Sequence, residues 1–306
     1  MLDVRRMRVL LAVAEHGGVA AAARALAFTP PAVSQQLAAL ERQVGVPLID
    51  RGGRTAVLTP AGRRLAEHAQ AVLAALESAE AEVRSMARPG GSPAGELAVA
   101  TIPSLGRTLL PAVLEHLAGT APDLRFRVEQ LEPEQSLPAL VRRELDLVLA
   151  SEFTLTPRRI PTAVLRRDLF TEPVHVAVPS GHTAAGPVVR LADLRDDSWI
   201  SPDTGSSCEV LLQRSCAIAG FEPHVVAHCD DFSVAAALVA AGLGIALIPA
   251  SAARDAAATR SVRLLTAADP PIYRTLYAAT RAGAERHPSL VAVLTALEWH
   301  AHQPDR

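Results

Sequence analysis

The sequence predicts an α/β protein: a small, mainly helical unit comes first, a long helix follows, and two α/β lobes form the rest. Apolar residues recur at helical spacing near the N-terminus. Small apolar residues then repeat in steps of three and four over residues 69–86. Strand-like runs alternate with helical stretches beyond residue 94. With 306 residues, the chain has room for two or three domains.

The composition excludes several classes of protein. Hydrophobic residues make up 49%, too many for a disordered chain, and the net charge of −2 excludes a globally polybasic binder. All 30 basic residues are arginine. Three cysteines are too few for a disulfide scaffold and suit a reducing compartment. We find no targeting signal, and we interpret the uncharged run 233–253 as helix, turn and strand rather than a membrane span, so we expect a cytoplasmic protein.

The first 60 residues predict three helices followed by a small hairpin. One helix runs to about His16, a second spans Val19–Leu26, and a third spans Pro30–Val44 with Thr29 as its N-cap. A turn over residues 51–54 then separates two short strands. This is the arrangement of a winged helix-turn-helix, which inserts its recognition helix into the major groove of DNA.

The third predicted helix has one polar face. Its apolar stripe holds Val33, Leu37, Leu40 and Val44. The opposite side holds Pro31, Gln35, Ala38 and Arg42, with Ser34 on its flank. Gln can pair bidentately with adenine, and Ser can contact any base. Residues 1–59 contain seven arginines and four acidic residues, a local excess of the sign that phosphate contact requires.

Motifs over about 50 residues resemble the LysR-type transcriptional regulators. They are Ala21-Ala22-Ala23-Arg24-Ala25-Leu26, Thr29-Pro30-Pro31-Ala32-Val33-Ser34-Gln35-Gln36-Leu37, Leu40-Glu41, Gly45, Leu48, Arg51 and Leu58-Thr59-Pro60-Ala61-Gly62. The resemblance implies that Ser34 and Gln35 face DNA, that Thr29, Pro30 and Pro31 begin the recognition helix, and that Arg51 and Arg54 lie on the wing. Gly18, Pro30 and Ile49 depart from the family's usual Ser, Gln and Phe, and Pro30 removes one base contact.

The second part of the chain, residues 61–88, predicts a dimerisation helix. The apolar steps fall at Ala69, Val72, Leu76, Ala79, Val83 and Met86. This is the a/d seam of a short coiled coil, although a helix packed on its own domain would show a similar pattern. The Pro- and Gly-rich residues 89–93 then predict a hinge.

Residues 94–306 predict two α/β lobes with parallel sheets and helices on both faces. The segment from Asp230-Asp231 to Pro249 resembles the effector domain of LysR-type regulators, and these domains resemble periplasmic solute-binding proteins. The implied partners are double-stranded promoter DNA, a small-molecule effector, a homodimer or homotetramer partner, and RNA polymerase, with no membrane. Two other classes of protein are less favoured. A solute-binding transport protein would have no winged helix, and the sequence contains no motif typical of an enzyme.

A ligand in a two-lobed receptor lies at the carboxyl ends of strands. Thr101 and Ser104 in one lobe and Ser201 in the other stand at such positions, and the resemblance implies that they bind the effector, with Pro103, Ser151 and Phe232 as wall residues. Hydroxyls and backbone amides suit a small anion, whereas Asp203 could select a cationic group instead, so the charge of the effector stays open. Helix caps and turns would use the same residue types.

Thiol oxidation is the alternative signal for the same fold. Peroxide-sensing members of the family use two cysteines in a similar region, and Cys216 precedes Gly220 much as their second cysteine does, whereas Cys208 is one position off. An intact helix would hold Cys208 and Cys216 about 12 Å apart, and a disulfide needs Cα atoms within about 7 Å. His224 and His228 lie about 13 Å apart on a strand, too far to chelate a metal. We therefore expect no metal and no cofactor.

Overall fold

The computed structural model describes residues 2–50, 57–87, 92–253 and 261–303. Its N-terminal unit contains the helices α1 (Val4–His16), α2 (Val19–Ala25) and α3 (Pro30–Val44) and the paired strands β1 (Ile49–Asp50) and β2 (Val57–Leu58). Buried apolar side chains from α1–α3 form one core with Leu48 and Ile49. The three predicted helices are thus present, and α3 has the predicted bounds.

Sequence signals at both ends explain the bounds of α3. The Thr29 hydroxyl accepts a hydrogen bond from the Ala32 N–H at 3.4 Å, and Pro30 occupies the first turn, where a missing N–H costs nothing. Gly45 ends the helix with φ +78°, a left-handed conformation that favours glycine. The Glu41 carboxylate accepts bonds from the N–H groups of Leu48 and Ile49, which ties β1 to α3.

A 27-residue helix, α4 (Pro60–Met86), leaves this unit and carries the predicted seam. Val72, Leu76, Val83 and Met86 are exposed, whereas Ala69 is buried against the chain's own core. The seam is therefore an uncovered apolar stripe over most of its length in the single chain. The predicted hinge falls partly on residues 88–91, which lie outside the described residues.

The remaining chain forms two lobes joined by two long strands. The strands are β3 (Gly95–Thr101), β4 (Leu124–Gln130), β5 (Leu147–Phe153), β6 (Val164–Pro179), β7 (Val188–Val189), β8 (Ser198–Ser201), β9 (His224–His228), β10 (Ala246–Pro249), β11 (Val262–Ala267) and β12 (Tyr273–Arg281). The helices are α5 (Pro103–Thr108), α6 (Leu110–Thr120), α7 (Pro133–Val141), α8 (Ser207–Ile218), α9 (Phe232–Ala240) and α10 (Pro288–Ala301). In each lobe, buried clusters cover both faces of the sheet.

The predicted parallel pairing is confirmed only in part, because the main sheet is mixed. Strands β3, β4 and β5 pair in parallel, and β8 pairs in parallel with β9. Strand β12 runs antiparallel to both β5 and β6, and β6 continues antiparallel to β10 and β11. The chain crosses from the first lobe to the second along β6 and returns along β12, so the crossing strands must oppose each other.

The uncharged run 233–253 forms α9, a turn at Gly242 and β10, as predicted. Among the described residues, no helix has the length and apolar character needed to span a bilayer.

Candidate functional site

The exposed face of α3 carries the predicted DNA-contacting residues. Pro31, Ser34, Gln35 and Arg42 are exposed, while Val33, Leu37 and Leu40 are buried in the core of the N-terminal unit. Thr29 and Pro30 are also exposed where the helix begins. The helix thus presents a polar face to solvent on the side opposite its buried apolar residues. Arg51 and Arg54 lie outside the described residues.

A cavity of about 160 Å³ lies between the two lobes. It is reached by the carboxyl ends of β3 and β4 in the first lobe and of β8 and β9 in the second, as expected for a ligand site in an α/β receptor. Its lining residues are Ile102, Pro103, Ser104, Arg107, Gln130, Glu132, Ser151, Pro202, Ser206, Ser207, Cys208, Asp230, Asp231, Phe232 and Arg274. We call its buried members the floor and its exposed members the rim.

The floor is built around the buried side chain of Arg274, which is 2% exposed. Its Nε donates to Glu172 Oε1 at 2.7 Å, and its Nη2 donates to the hydroxyls of Ser104 (3.2 Å) and Ser251 (3.1 Å). Glu172 is also buried, and it accepts a hydrogen bond from the Ser251 N–H at 2.6 Å. The pairing of β12 with β6 places Arg274 directly opposite Glu172, so the ion pair follows from the strand register.

The rim is acidic. Glu132 and Asp230 are exposed and face the cavity from different lobes. Partial burial of the Glu132 carboxylate raises its pKa above the usual value, and the nearby carboxylates of Glu134 and Asp230 raise it further. A hydrogen bond with the Asp230 carboxylate likewise raises the pKa of Asp203. The negative charge of the rim carboxylates is therefore only partly balanced by nearby arginines.

Hydrogen bonds cross the cleft beside the cavity. Ser207 Oγ in the second lobe donates to Glu134 Oε1 in the first at 2.6 Å, and Arg158 Nη2 donates to both of these groups. On the other side, Arg107 Nη1 donates to Ser233 Oγ at 2.5 Å. These bonds tie the two lobes together around the cavity.

Four of the six predicted effector residues line the cavity: Pro103, Ser104, Ser151 and Phe232. Thr101 and Ser201 are buried behind the lining, and each hydroxyl donates to the carbonyl of the next residue, Ile102 or Pro202. A local turn therefore occupies both hydroxyls, as the helix-cap and turn interpretation of such residues anticipates.

Comparison with known proteins decides the family. The model "LysR substrate binding domain" matches residues 90–301, and the model "Bacterial regulatory helix-turn-helix protein, lysR family" matches residues 4–63. The chain is a LysR-type transcriptional regulator. The resemblance carried by residues 21–62 is thereby confirmed.

Relatives of this LysR-type regulator cover nearly its whole length. The "Small neutral protease regulatory protein" of Streptomyces lividans is 34% identical over 98% of this chain and 83% of its own. The "Probable hydrogen peroxide-inducible genes activator" of Streptomyces viridosporus is 32% identical over 93% of this chain and 89% of its own. A full-length OxyR variant from Pseudomonas aeruginosa has the same fold, with a TM-score of 0.62, 23% identity, and coverage of 97% and 98% of the two chains.

The cysteines of this LysR-type regulator are poorly suited to oxidation. Cys208 and Cys216 both lie in α8, which is unbroken, so the helix holds their Cα atoms about 12 Å apart. Burial raises the pKa of each thiol to about 12, which suppresses the thiolate that reacts with peroxide. Cys216 is fully buried. A disulfide between them would require α8 to unwind.

Several polar residues of the cleft were not predicted from the sequence. Glu132 follows β4 in the way that Ile102 follows β3, so its position after a predicted strand was a usable signal. Arg274 gave no such signal, because only the pairing of β12 with β6 brings it to the cleft. Within the described part of the chain, no cluster of His, Cys, Asp and Glu is arranged to hold a metal.

Proposed function

We propose that this LysR-type regulator reads double-stranded promoter DNA with α3. Ser34 and Gln35 contact base edges, Thr29, Pro30 and Pro31 set the beginning of the helix against the backbone, and Arg51 and Arg54 of the wing contact phosphates. The observation that carries this proposal is the exposed polar face of α3 beside a fully buried apolar one. Residues 1–60 act as the DNA-binding domain, in the cytoplasm, where bacterial promoters lie.

We infer that residues 61–88 form the dimer contact. The exposed apolar stripe of Val72, Leu76, Val83 and Met86 supports this, because such a stripe on a long helix is normally covered by a partner. The same helix of a second copy of the chain would cover the stripe. That second chain also brings the second recognition helix that a pseudo-palindromic DNA site needs. A tetramer would combine two such dimers.

We propose that residues 94–306 bind a small-molecule effector in the cleft between the lobes. The cavity and its lining by Pro103, Ser104, Ser151 and Phe232 carry this proposal. Thr101 and Ser201 support the lining from behind. Binding would change how the lobes close, and with it the spacing of the two DNA-binding units and the access of RNA polymerase to the promoter.

The DNA-reading role is tested by fluorescence anisotropy with the DNA upstream of the protein's own gene. Gln35→Ala should weaken specific binding about 10- to 100-fold, because a bidentate contact to a base contributes about 1–3 kcal/mol. Gln43→Ala is the matched control, since Gln43 is exposed on the same helix but lies two turns further on. Equal loss in both variants, or in neither, would contradict the assignment of Gln35 to base contact.

A further inference from the structure

The rim of the cleft cavity has two carboxylates without a cationic partner. Among the charged lining residues, Arg274 is paired with Glu172, and Arg107 lies beside Asp231, whose carboxylate caps α9. Within the described residues, Glu132 and Asp230 have no arginine or histidine within ion-pairing distance. Arg274 and Arg158 act on Glu132 from further away, and their effect is smaller than that of the neighbouring carboxylates.

The floor of the same cavity holds hydrogen-bond donors that the protein leaves unused. Ser151 is 9% exposed, lines the cavity, and its hydroxyl makes no hydrogen bond to any described residue. Nε and Nη2 of the Arg274 guanidinium are bonded, whereas Nη1 has no partner among the described residues. Neither atom is among the fully buried donors that lack a partner, so both are open to the cavity, where a ligand with an acceptor would replace water. A carboxylate, which has two acceptor oxygens, fits a hydroxyl and a guanidinium N–H.

The size of the cavity limits the ligand. Its volume of about 160 Å³ is below the roughly 300–1,000 Å³ of pockets that hold drug-sized ligands. Ile102 and Phe232 add apolar wall, which favours a short hydrocarbon portion. The space suits a molecule about as large as a single amino acid.

On the premise of the proposed function, that the cleft holds the effector, we propose that the effector is a small amino-carboxylate such as a free amino acid. Its carboxylate accepts from Ser151 and Arg274 Nη1 on the floor, and its ammonium group lies between Glu132 and Asp230 on the rim. A dicarboxylate is rejected, because its second negative charge would meet the unbalanced carboxylates of the rim, and an inorganic anion has no ammonium group to balance them. This assigns a ligand charge that the sequence left open.

Titration calorimetry of the full-length protein tests this inference with the twenty common amino acids, β-alanine and γ-aminobutyrate as probes. For each compound that binds, the decarboxylated amine and the deaminated acid with the same carbon skeleton are titrated next. We expect at least one amino acid to bind, and both truncated partners to bind at least tenfold more weakly. Ser151→Ala should weaken amino acid and deaminated acid together.

Two rim variants separate the ammonium contact from a general charge effect. Glu132→Gln and Asp230→Asn should each weaken amino-acid binding about tenfold and leave the deaminated acid unchanged or stronger. Glu115→Gln is the matched control, because Glu115 is exposed on α6, away from the cavity, and its replacement changes net charge equally. This variant should bind like the wild type.

Three results would overturn the inference. The first is that no probe amino acid binds. The second is that a deaminated acid or a dicarboxylate binds at least as tightly as the amino acid. The third is that Glu132→Gln and Asp230→Asn leave amino-acid binding unchanged. The cleft-filling variant Ser151→Leu distinguishes this failure from failure of the proposed function. If an acid binds to the wild type and not to Ser151→Leu, the cleft remains the effector site and only the amino-carboxylate assignment fails. If Ser151→Leu binds that acid as tightly as the wild type does, the proposal that the cleft is the effector site is wrong.

Discussion

Arg274 and Glu172 form the buried ion pair on which the floor of the cleft is built. They are 102 residues apart in sequence and are neighbours only because β6 and β12 pair, so no local pattern could have predicted them. Ser104 and Ser151, in contrast, were predictable, because each lies at or near the end of a strand or at the beginning of a helix. Thr101 and Ser201 share that pattern, but their hydroxyls bond to local carbonyls, which only coordinates reveal.

Glu172→Gln should destabilise the protein by about 3–5 kcal/mol, because it leaves the buried Arg274 charge without its counter-ion. Urea unfolding measures the difference. Glu298→Gln is the control, since Glu298 pairs with Arg167 at 2.9 Å in the same kind of Glu–Arg contact but at an exposed position. This change should cost under about 1 kcal/mol. Equal losses in the two variants would show that burial does not strengthen the Arg274 pair.

Glu15 makes the stability dependent on pH. Burial raises its pKa from 4.5 to about 7, although Arg143 Nε lies 3.8 Å from Glu15 Oε1. Because the folded-state pKa is raised, the protonated form favours folding. This contribution is complete below pH 4.5 and is lost as the pH rises through 7. We expect Glu15 to lower the unfolding free energy by at most about 3 kcal/mol over that range.

Glu15→Gln isolates this effect, because glutamine has nearly the same shape and does not ionise. The difference in unfolding free energy between wild type and variant should change steadily from pH 5 to pH 7.5, with the wild type losing stability relative to the variant. A difference that stays constant over this range would mean that Glu15 titrates as an ordinary surface carboxylate.

At the scale of elements, the predicted bounds of a helix match the structure where capping residues mark both of its ends. The bounds of α3 were predicted because Thr29, Pro30 and Gly45 mark them. Helices α5 and α6 follow each other directly yet are separate, because Pro111 near the beginning of α6 has no N–H to continue the hydrogen bonds of α5. Strands β7 and β8, with two and four residues, are too short to show any periodicity.

The exposed stripe of α4 predicts which substitution weakens the proposed dimer. Val83→Glu places a charge on a side chain that is 67% exposed in the single chain and buried in the proposed dimer, so the dimer Kd should rise at least tenfold. Sedimentation velocity over a range of concentrations measures the change. Arg84→Glu introduces the same side chain one residue later, outside the stripe, and should leave the dimer intact. A dimer unaffected by Val83→Glu would place the contact elsewhere.

At the scale of the whole molecule, the length and alternation of elements beyond residue 94, together with the family resemblance, predicted two lobes after a DNA-binding unit. They were not enough to predict the mixed sheet, because strand direction depends on how often the chain crosses between the lobes. Both crossings, β6 and β12, pass through the region that carries Glu172 and Arg274. Movement of one lobe against the other therefore acts on the strands that hold the floor of the cleft.

The most direct test of the account is a hydroxyl-radical footprint of the full-length protein on the DNA upstream of its own gene. It is taken without ligand and with a saturating amount of a compound that binds the cleft. We expect the protected region to change in length or spacing for the wild type and to stay constant for Ser151→Leu. An identical footprint with the wild-type cleft saturated would contradict the central claim that the cleft controls how the two DNA-binding units meet the promoter.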